Sequence, residues 1–361
     1  MENPERSAKE GEKCDEVGKI GCNRTMKQLD RTLALAPMLD WTDRHFRYLA
    51  RLLSPHLLLY TEMIPVGALI HGSFEQSLAG HLAHHIAEHP VALQLGGGNP
   101  ADLIHAAKIG AEAGFDEINI NAGCPSERVS AGAFGIALFR EPERVAEAVA
   151  GMVEAVSVPV TVKTRIGVDE IDSFDYLCRF VERLKQAGVS ALIIHARMAY
   201  PSQYSPRQNR SVPPLRYEVV YALKQQFPDL PVVINGEISS LDQVRAHLQQ
   251  VDGVMIGRPI FARPAFLTEL EQALYDDPLG RPSIEEVVGG YLRYLEAEWG
   301  KGSPSVLIKP LFGLYHGQPG GRVWRQALSQ MLQRCARESA FGEIRARILA
   351  SIPSGADTSL D

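Results

Sequence analysis

The sequence predicts a (β/α)8 barrel followed by a small C-terminal helical domain. Three observations carry this. Eight short apolar runs recur along the chain. Amphipathic segments at helical spacing lie between most of them. Most of the runs end in a polar residue or glycine, where a barrel of parallel strands carries its function. At 361 residues the chain exceeds the ~250 that such a barrel needs. An open doubly wound sheet is the alternative. It fits less well because no G-x-G-x-x-G follows the first strand.

In chain order, Leu33 to Met38 leads into Leu39-Asp40-Trp41-Thr42-Asp43, and Leu57 to Tyr60 into Thr61-Glu62-Met63. Val91 to Leu95 contains Gln94 and ends at Gly96-Gly97-Gly98. Ile118 to Asn121 leads to Cys124, and Val158 to Val162 ends at Lys163-Thr164-Arg165. Ala191 to Ile194 ends at His195-Ala196-Arg197, Val232 to Ile234 at Asn235-Gly236-Glu237, and Val254 to Ile256 at Gly257-Arg258-Pro259. Between them, Val145, Val149, Met152, Val153 and Val156 fall at helical spacing among Glu143, Arg144, Glu147 and Glu154. Tyr176 to Ala187 and Leu241 to Leu248 repeat the pattern.

The barrel is expected over residues 32–275. Residues 1–28 are charge-rich with few large apolar side chains, the composition of a disordered tail, and they lack the apolar core of a signal peptide. Met26 offers a later start. Residues 276–283, Asp276-Asp277-Pro278-Leu279-Gly280-Arg281-Pro282-Ser283, read as a linker. Ser283 with Glu286 forms the pattern of a capping box and opens a helical domain over 284–351, with 352–361 as a tail. Within it Val323, Trp324, Ala327, Leu328, Met331, Leu332 and Cys335 make one apolar stripe, with Arg322 and Arg325 on the opposite face.

Hydrophobic residues make up 45% and charged residues 22% of the chain, within the range of globular proteins. No stretch is apolar enough to span a bilayer, so no membrane partner is expected. The five cysteines lack C-x-x-C spacing, which disfavours a metal site or a disulfide framework and suits a reducing cytoplasm. No obligate protein partner is evident. Charge is uneven: from Lys301 onward the net charge is +4, against −6 for the whole chain. A basic appendage on an acidic body suggests a polyanionic partner.

The most informative stretch is Glu-Ile-Asn-Ile-Asn-Ala-Gly-Cys-Pro, Glu117 to Pro125. Strand alternation puts Asn119 and Asn121 on one face and Ile118 and Ile120 on the other. Gly123 and Pro125 turn the chain, so Cys124 stands at the tip of a strand with polar neighbours. A thiol there can exchange a proton with a ligand, whereas a lone intracellular Cys is ordinarily inert filler. The other strand ends suit a phosphorylated planar cofactor. The loops after strands seven and eight, usual phosphate cradles, hold Asn235-Gly236 and Gly257-Arg258. Lys163 is placed to set a positive charge beside a ring that becomes anionic when reduced, or to form a Schiff base. Gln94 can offer a donor and an acceptor to a pyrimidine-like edge.

Several ordered motifs together resemble the tRNA-dihydrouridine synthases. They are Ala36-Pro37-Met38-Leu39-Asp40-Trp41-Thr42-Asp43, Leu93-Gln94-Leu95-Gly96-Gly97, Asn121-Ala122-Gly123-Cys124-Pro125-Ser126, Val162-Lys163-Thr164-Arg165, Ile194-His195-Ala196-Arg197, Asn235-Gly236 and Gly257-Arg258. Leu59-Tyr60-Thr61-Glu62-Met63, Ser205-Pro206-Arg207, Asn209-Arg210 and Pro213-Pro214-Leu215 are similar to the A-type subfamily. The resemblance covers about residues 32–335 and implies FMN as cofactor. It implies Pro37, Met38, Leu39, Gln94, Lys163, His195, Asn235, Gly236, Glu237, Gly257 and Arg258 as flavin contacts. It further implies Cys124 as proton donor, and Asn121, Arg207, Arg210, Arg322 and Arg325 as contacts to tRNA. Ala122 departs from the valine common in the family, Glu237 from a second glycine, and Ile308-Lys309-Pro310 from a Thr-Arg-His stretch.

The implied reaction reduces D-loop uridines 20 and 20a. NADPH reduces FMN, flavin N5 delivers hydride to uracil C6, and Cys124 protonates C5. Two other classes stand beside it. A small-molecule flavoenzyme such as a dihydroorotate dehydrogenase would not need the basic helical domain. A silent RNA-binding protein would have no use for Cys124 with Lys163.

Overall fold

The structure is a computed structural model that describes residues 29–73, 75–76, 80–126, 134–275, 282–334 and 340–353. The expected tail over 1–28, linker residues 276–281, Cys335 of the apolar stripe and residues 354–361 lie outside the described residues.

Eight strands form one parallel sheet in the order β1-β8-β7-β6-β5-β4-β3-β2. They are β1 (Leu33–Leu35), β2 (Leu59–Pro65), β3 (Val91–Gly96), β4 (Glu117–Ala122), β5 (Val160–Val168), β6 (Ala191–Ala199), β7 (Val232–Asn235) and β8 (Gly253–Ile256). The ring closes between β1 and β2 through a parallel bridge of Ala34 with Leu58. There Leu58 N–H donates to Leu33 O at 3.0 Å and Leu35 N–H to Leu58 O at 2.9 Å. At the other seam Gly253 is obligatory, because a Cβ there would lie 1.9 Å from the carbonyl oxygen of Arg31.

Two faces of each strand are buried against different things. Outward residues such as Leu33, Leu35, Ile118 and Ile120 join the large cluster shared with the helices. Inward residues Ala34, Leu58, Tyr60, Ala92, Ile193, Val233 and Met255 form a separate small cluster inside the ring. This is why the runs read as nearly continuous apolar stretches.

Helices α1 (Arg44–Leu53), α2 (Val66–Ile70), α3 (Pro100–Glu112), α4 (Pro142–Ala155), α5 (Phe174–Gln186), α6 (Tyr217–Gln226) and α7 (Leu241–Leu248) connect successive strands. The sequence supplies their starts. Asp43 caps α1 by accepting from the N–H groups of His45 and Phe46, and Asn99, Ser173 and Ser240 cap α3, α5 and α7. The expected α4 face is buried through Val145, Ala148, Val149 and Met152.

Strands β5 and β6 are longer than the sequence suggests. They stay paired beyond the rim, as far as Gly167 with Met198 and Val168 with Ala199, after a shift of register at Arg165. Lys163, Arg165 and His195 therefore lie within strands rather than just after them.

After β8 come α8 (Arg258–Ala262), α9 (Phe266–Leu274), α10 (Ile284–Glu298), α11 (Pro304–Ile308), α12 (Gly321–Arg334) and α13 (Phe341–Ala350). The Ser283 capping box is formed: its side chain accepts from Glu286 N–H, and the Glu286 carboxylate accepts from Ser283 N–H. Helix α10 packs on α1, with Tyr294 stacked on Tyr48 at 4.0 Å and bonded to His45 at 2.7 Å. The hydrophobic cluster of the barrel continues through Leu295, Leu311, Trp324, Leu328 and Ile348. Of the expected stripe on α12, Trp324, Leu328 and Met331 are buried, but Val323 is 66% exposed. It sits about 100° around the helix from Trp324, beyond the reach of the core. Among the described residues no helix is long and apolar enough to cross a membrane.

Candidate active site

Register builds the site. Across neighbouring strands Gln94 lies beside Asn119, Asn121 beside Lys163, Arg165 beside His195, and His195 beside Asn235. Alternation relates only Asn119 to Asn121 and Lys163 to Arg165 within their own strands; the parallel ladder is what makes the rest adjacent.

All but Asn119, which is buried beneath, open into one cavity of about 680 Å3 at the carboxyl ends of the strands. Pro37, Met38, Leu39, Gln94, Lys163, His195, Asn235, Gly236, Glu237, Gly257 and Arg258 all line it, as do Cys124, Asn121 and Arg210. Arg207, Arg322 and Arg325 do not. Arg207 and Arg322 are exposed. Arg325 reaches His316 Nδ1 at 3.4 Å. A second cavity of about 650 Å3 lies away from the strand ends, lined by residues including Arg44, His84, His89, Glu298 and Lys301. Its charges are largely used: Glu298 pairs with both Arg44 and Lys301, and His89 with Asp116.

The Cys124 turn is held by Asn121, whose Oδ1 accepts from Gly123 N–H at 3.1 Å and Cys124 N–H at 2.9 Å. Arg165 braces the same turn through Gly123 O at 3.1 Å, and it also donates to Met198 O and Asn209 O. Asn209 is fully buried and bonds the Tyr200, Tyr204 and Ser205 carbonyls, which fixes the loop bearing Arg207 and Arg210. Sequence reasoning gave Arg165, Asn209 and Trp41 no role of their own. For Arg165 a signal was present, since it continues the inward face Thr161, Lys163 of β5.

Electrostatically the cavity is cationic. Lys163, Arg165, Arg210 and Arg258 line it, and Glu237 is its sole carboxylate among the described residues. Lys163 Nζ donates to Asn235 Oδ1 at 3.2 Å, and Asn235 Nδ2 is tied to Met255 O. Burial pushes Lys163 down to about 7, helped by the Arg165 charge and opposed by the sulfur of Cys124 when ionised. The fixed charge expected there is thus a titrating one. Burial and the surrounding cations also hold His195 well below its usual value, so its ring is neutral. His195 Nδ1 is buried without a partner.

Glu237 bonds Arg197 at 2.6 Å and Arg258 at 3.2 Å. It does so at φ +50°, a left-handed conformation that a glycine adopts freely and that costs another residue about 1–3 kcal/mol. The neighbouring Gly236 has φ +138°, and a Cβ there would meet Leu215 at 2.8 Å.

The titration of Lys163 has a measurable consequence. An unfolded lysine keeps its proton to about pH 10.4, whereas Lys163 in the fold releases it near pH 7. Between these values the unfolded state binds more protons, so the ligand-free protein gains stability as pH rises. Lys163→Met is expected to lose that rise while keeping the remaining pH profile. Denaturation midpoints at pH 7 and pH 9 for both proteins check this; parallel shifts would show that Lys163 is not the group responsible.

The dihydrouridine synthase family model matches residues 34–347. A tRNA-dihydrouridine(20/20a) synthase of Shewanella oneidensis is 48% identical over 305 residues, covering 84% of this chain and 90% of its own. One from Vibrio cholerae is 45% identical over 325 residues, covering 89% of this chain and 96% of its own. Among solved structures, 2-naphthoyl-CoA reductase in complex with 2-naphthoyl-CoA aligns with TM-score 0.50 at 11% identity, over 67% of this chain and 50% of that one, a likeness of fold. A family model spanning most of the chain, and relatives close to half identical along nearly its whole described length, make this protein a member of the dihydrouridine synthase family of oxidoreductases.

Proposed function

We propose that the protein reduces uridines 20 and 20a in the D-loop of tRNA to dihydrouridine, with FMN as its cofactor and NADPH as reductant. The observation that carries this reading is the meeting of Cys124, Asn121 and Lys163 with the loops after β7 and β8 around one cavity. Its volume falls within the ~300–1,000 Å3 of small-molecule sites. The residues present suit FMN: three arginines and a lysine that titrates near neutrality, a neutral His195 with an unpartnered buried nitrogen, and an apolar wall from Pro37 and Met38. The names of the relatives support the substrate.

FMN, when bound and reduced by NADPH, would supply hydride for C6 of the uracil. Pro37, Met38, Leu39, Gln94, Lys163, His195, Asn235, Gly236, Glu237, Gly257 and Arg258 would hold the cofactor, and Gly236, Gly257 and Arg258 have the chemistry to take its phosphate. Lys163, poised near neutrality, takes up a proton when negative charge builds beside it. Negative charge develops on C5 and O4 of the base as C6 is reduced, and Cys124 Sγ delivers the proton to C5. The base has to leave its stack to reach the cavity, and Asn121 meets it there. Arg207, Arg210, Arg322 and Arg325 hold the sugar-phosphate backbone, which positions the RNA without reading it. In this scheme residues 32–275 are the catalytic unit and 284–351 the tRNA-binding unit, working in the cytoplasm.

Incubation of the FMN-loaded protein with NADPH and tRNA lacking the modification, followed by mass analysis of D-loop nucleotides, tests the proposal. Dihydrouridine is expected at positions 20 and 20a. A protein that retains no flavin from excess FMN, or leaves both uridines unchanged, would refute it.

The two arginines of α12 allow a separate test. Arg322→Ala with Arg325→Ala is expected to weaken tRNA binding and leave flavin reduction by NADPH intact. Losing two phosphate contacts should also flatten the dependence of log Kd on log salt, by roughly 0.7–0.9 per contact. An unchanged affinity and slope would reduce this helix to an ordinary solvated surface.

A further inference from the structure

A single file of polar side chains crosses the barrel interior and ends at the Cys124 turn. It starts at Glu117, whose Oε2 accepts from Arg31 at 2.5 Å and whose Oε1 accepts from Tyr60 OH at 2.5 Å and from Thr161 Oγ1 at 2.6 Å. Asn119 Nδ2 donates to Thr161 Oγ1 at 2.8 Å, Gln94 Nε2 to Asn119 Oδ1 at 2.8 Å, and Asn121 Nδ2 to Gln94 Oε1 at 2.8 Å. Asn121 Oδ1 then receives the backbone N–H groups of Gly123 and Cys124. Glu117, Asn119 and Thr161 are fully buried, and Gln94 nearly so.

We propose that Glu117, acting through Thr161, Asn119 and Gln94, sets which way round the amide of Asn121 sits and so positions the turn that presents Cys124. Every link has a forced direction. A carboxylate paired with Arg31 only accepts. Thr161 has one proton, which goes to Glu117, so toward Asn119 it can only accept. Asn119 must therefore turn its NH2 to Thr161 and its oxygen to Gln94. Gln94 in turn points NH2 at Asn119 and oxygen at Asn121. Asn121 is left with its oxygen facing the turn, the one orientation that can bind two N–H groups. Reversing any amide sets N–H against N–H or oxygen against oxygen at a buried link, where a mismatch is most costly. Tyr60, held protonated by its burial beside Glu117, adds a third donor at the anchor.

The strand frame explains why the file can form. Glu117, Asn119 and Asn121 share the inward face of β4, flanked in register by Gln94 on β3 and Thr161 on β5. Glu117 and Cys124 sit at opposite ends of that strand, so the anchor touches neither ligand nor reacting atom. Glu117, Asn119 and Thr161 are positioning residues. That the turn serves a proton transfer rests on the function proposed above; that the file orders the turn does not.

Thr161→Val removes the relay hydroxyl at nearly constant volume, and Thr161→Ser keeps it. In flavin-free protein, the rate at which iodoacetamide alkylates Cys124, followed by peptide mass, reports on the turn. Thr161→Val is expected to change this rate about fivefold or more, the opening that loss of one hydrogen bond allows, and Thr161→Ser to restore it. In loaded protein, Thr161→Val is expected to slow flavin reoxidation by tRNA with reduction by NADPH unchanged, again with rescue by Ser. Should Thr161→Val not fold, Thr161→Ala serves the same comparison against Ser. Unaltered alkylation in the hydroxyl-free variant, or a Ser variant that behaves like it, would overturn the inference. If wild-type protein itself does not act on tRNA, the functional reading falls, and the alkylation arm still decides this one.

Discussion

Cys124→Ala is expected to fold, bind flavin and accept electrons from NADPH at close to the normal rate, yet pass them to tRNA about 10²–10⁴-fold more slowly, the usual worth of general acid catalysis. Geometry separates the two half-reactions. The turn is held by Asn121 at Cys124 N–H and by Arg165 at Gly123 O, contacts that do not involve the sulfur. The loops after β7 and β8 that carry Gly236 and Arg258 lie on other strands. Deleting Sγ therefore removes a proton source and little else. Rapid mixing of the reduced protein with unmodified tRNA, watching flavin absorbance, measures the effect. Reoxidation at the wild-type rate would assign the proton to another group and overturn the central step of the scheme.

Trp324→Ala is expected to cost about 3–5 kcal/mol of stability, the range for removing a large buried aromatic side chain. Trp324 is fully buried, meets Tyr315 edge-on at 5.1 Å, and donates from its indole nitrogen to Leu311 O at 2.8 Å. Its loss leaves both a cavity and an unpaired carbonyl. Since the hydrophobic cluster runs unbroken from the barrel into these helices, the damage should register in global denaturant unfolding. A change below about 1 kcal/mol would mean that α12 is not anchored through this residue. The variant also supplies a control for the arginine pair: a helix that has come loose weakens RNA binding without any arginine being lost.

Much of the fold and the site is legible in the sequence because two periodicities carry it. Alternation in Glu-Ile-Asn-Ile-Asn is enough to assign the inward face of β4, and the polar residue or glycine that closes most runs marks the mouth of the barrel. The helix start at Ser283 is visible through its capping chemistry. What stays hidden depends on register between strands remote in sequence. Nothing in the order of residues says that Gln94 lies beside Asn119, or that Thr161 links Asn119 to Glu117; those contacts span 25, 42 and 44 residues. Burial is hidden too. Lys163 is expected from sequence to carry a standing charge, and only its enclosure beside Arg165 brings it to about 7. Val323 looks apolar enough for the core, but its angular position on α12 turns it outward.

Glu237 has a consequence for how an anion enters this cavity. A pocket lined by four cations would ordinarily draw any passing anion and hold it loosely, with strong sensitivity to salt. Here one carboxylate already bridges Arg197 and Arg258. A phosphate that engages Arg258 competes with it, so occupancy at that arginine is an ion exchange in which one negative charge contends with another. The part of the salt dependence that comes from these two arginines is correspondingly shallow. Selectivity falls to groups that offer more than charge, with enough oxygen atoms to outbid a tethered carboxylate.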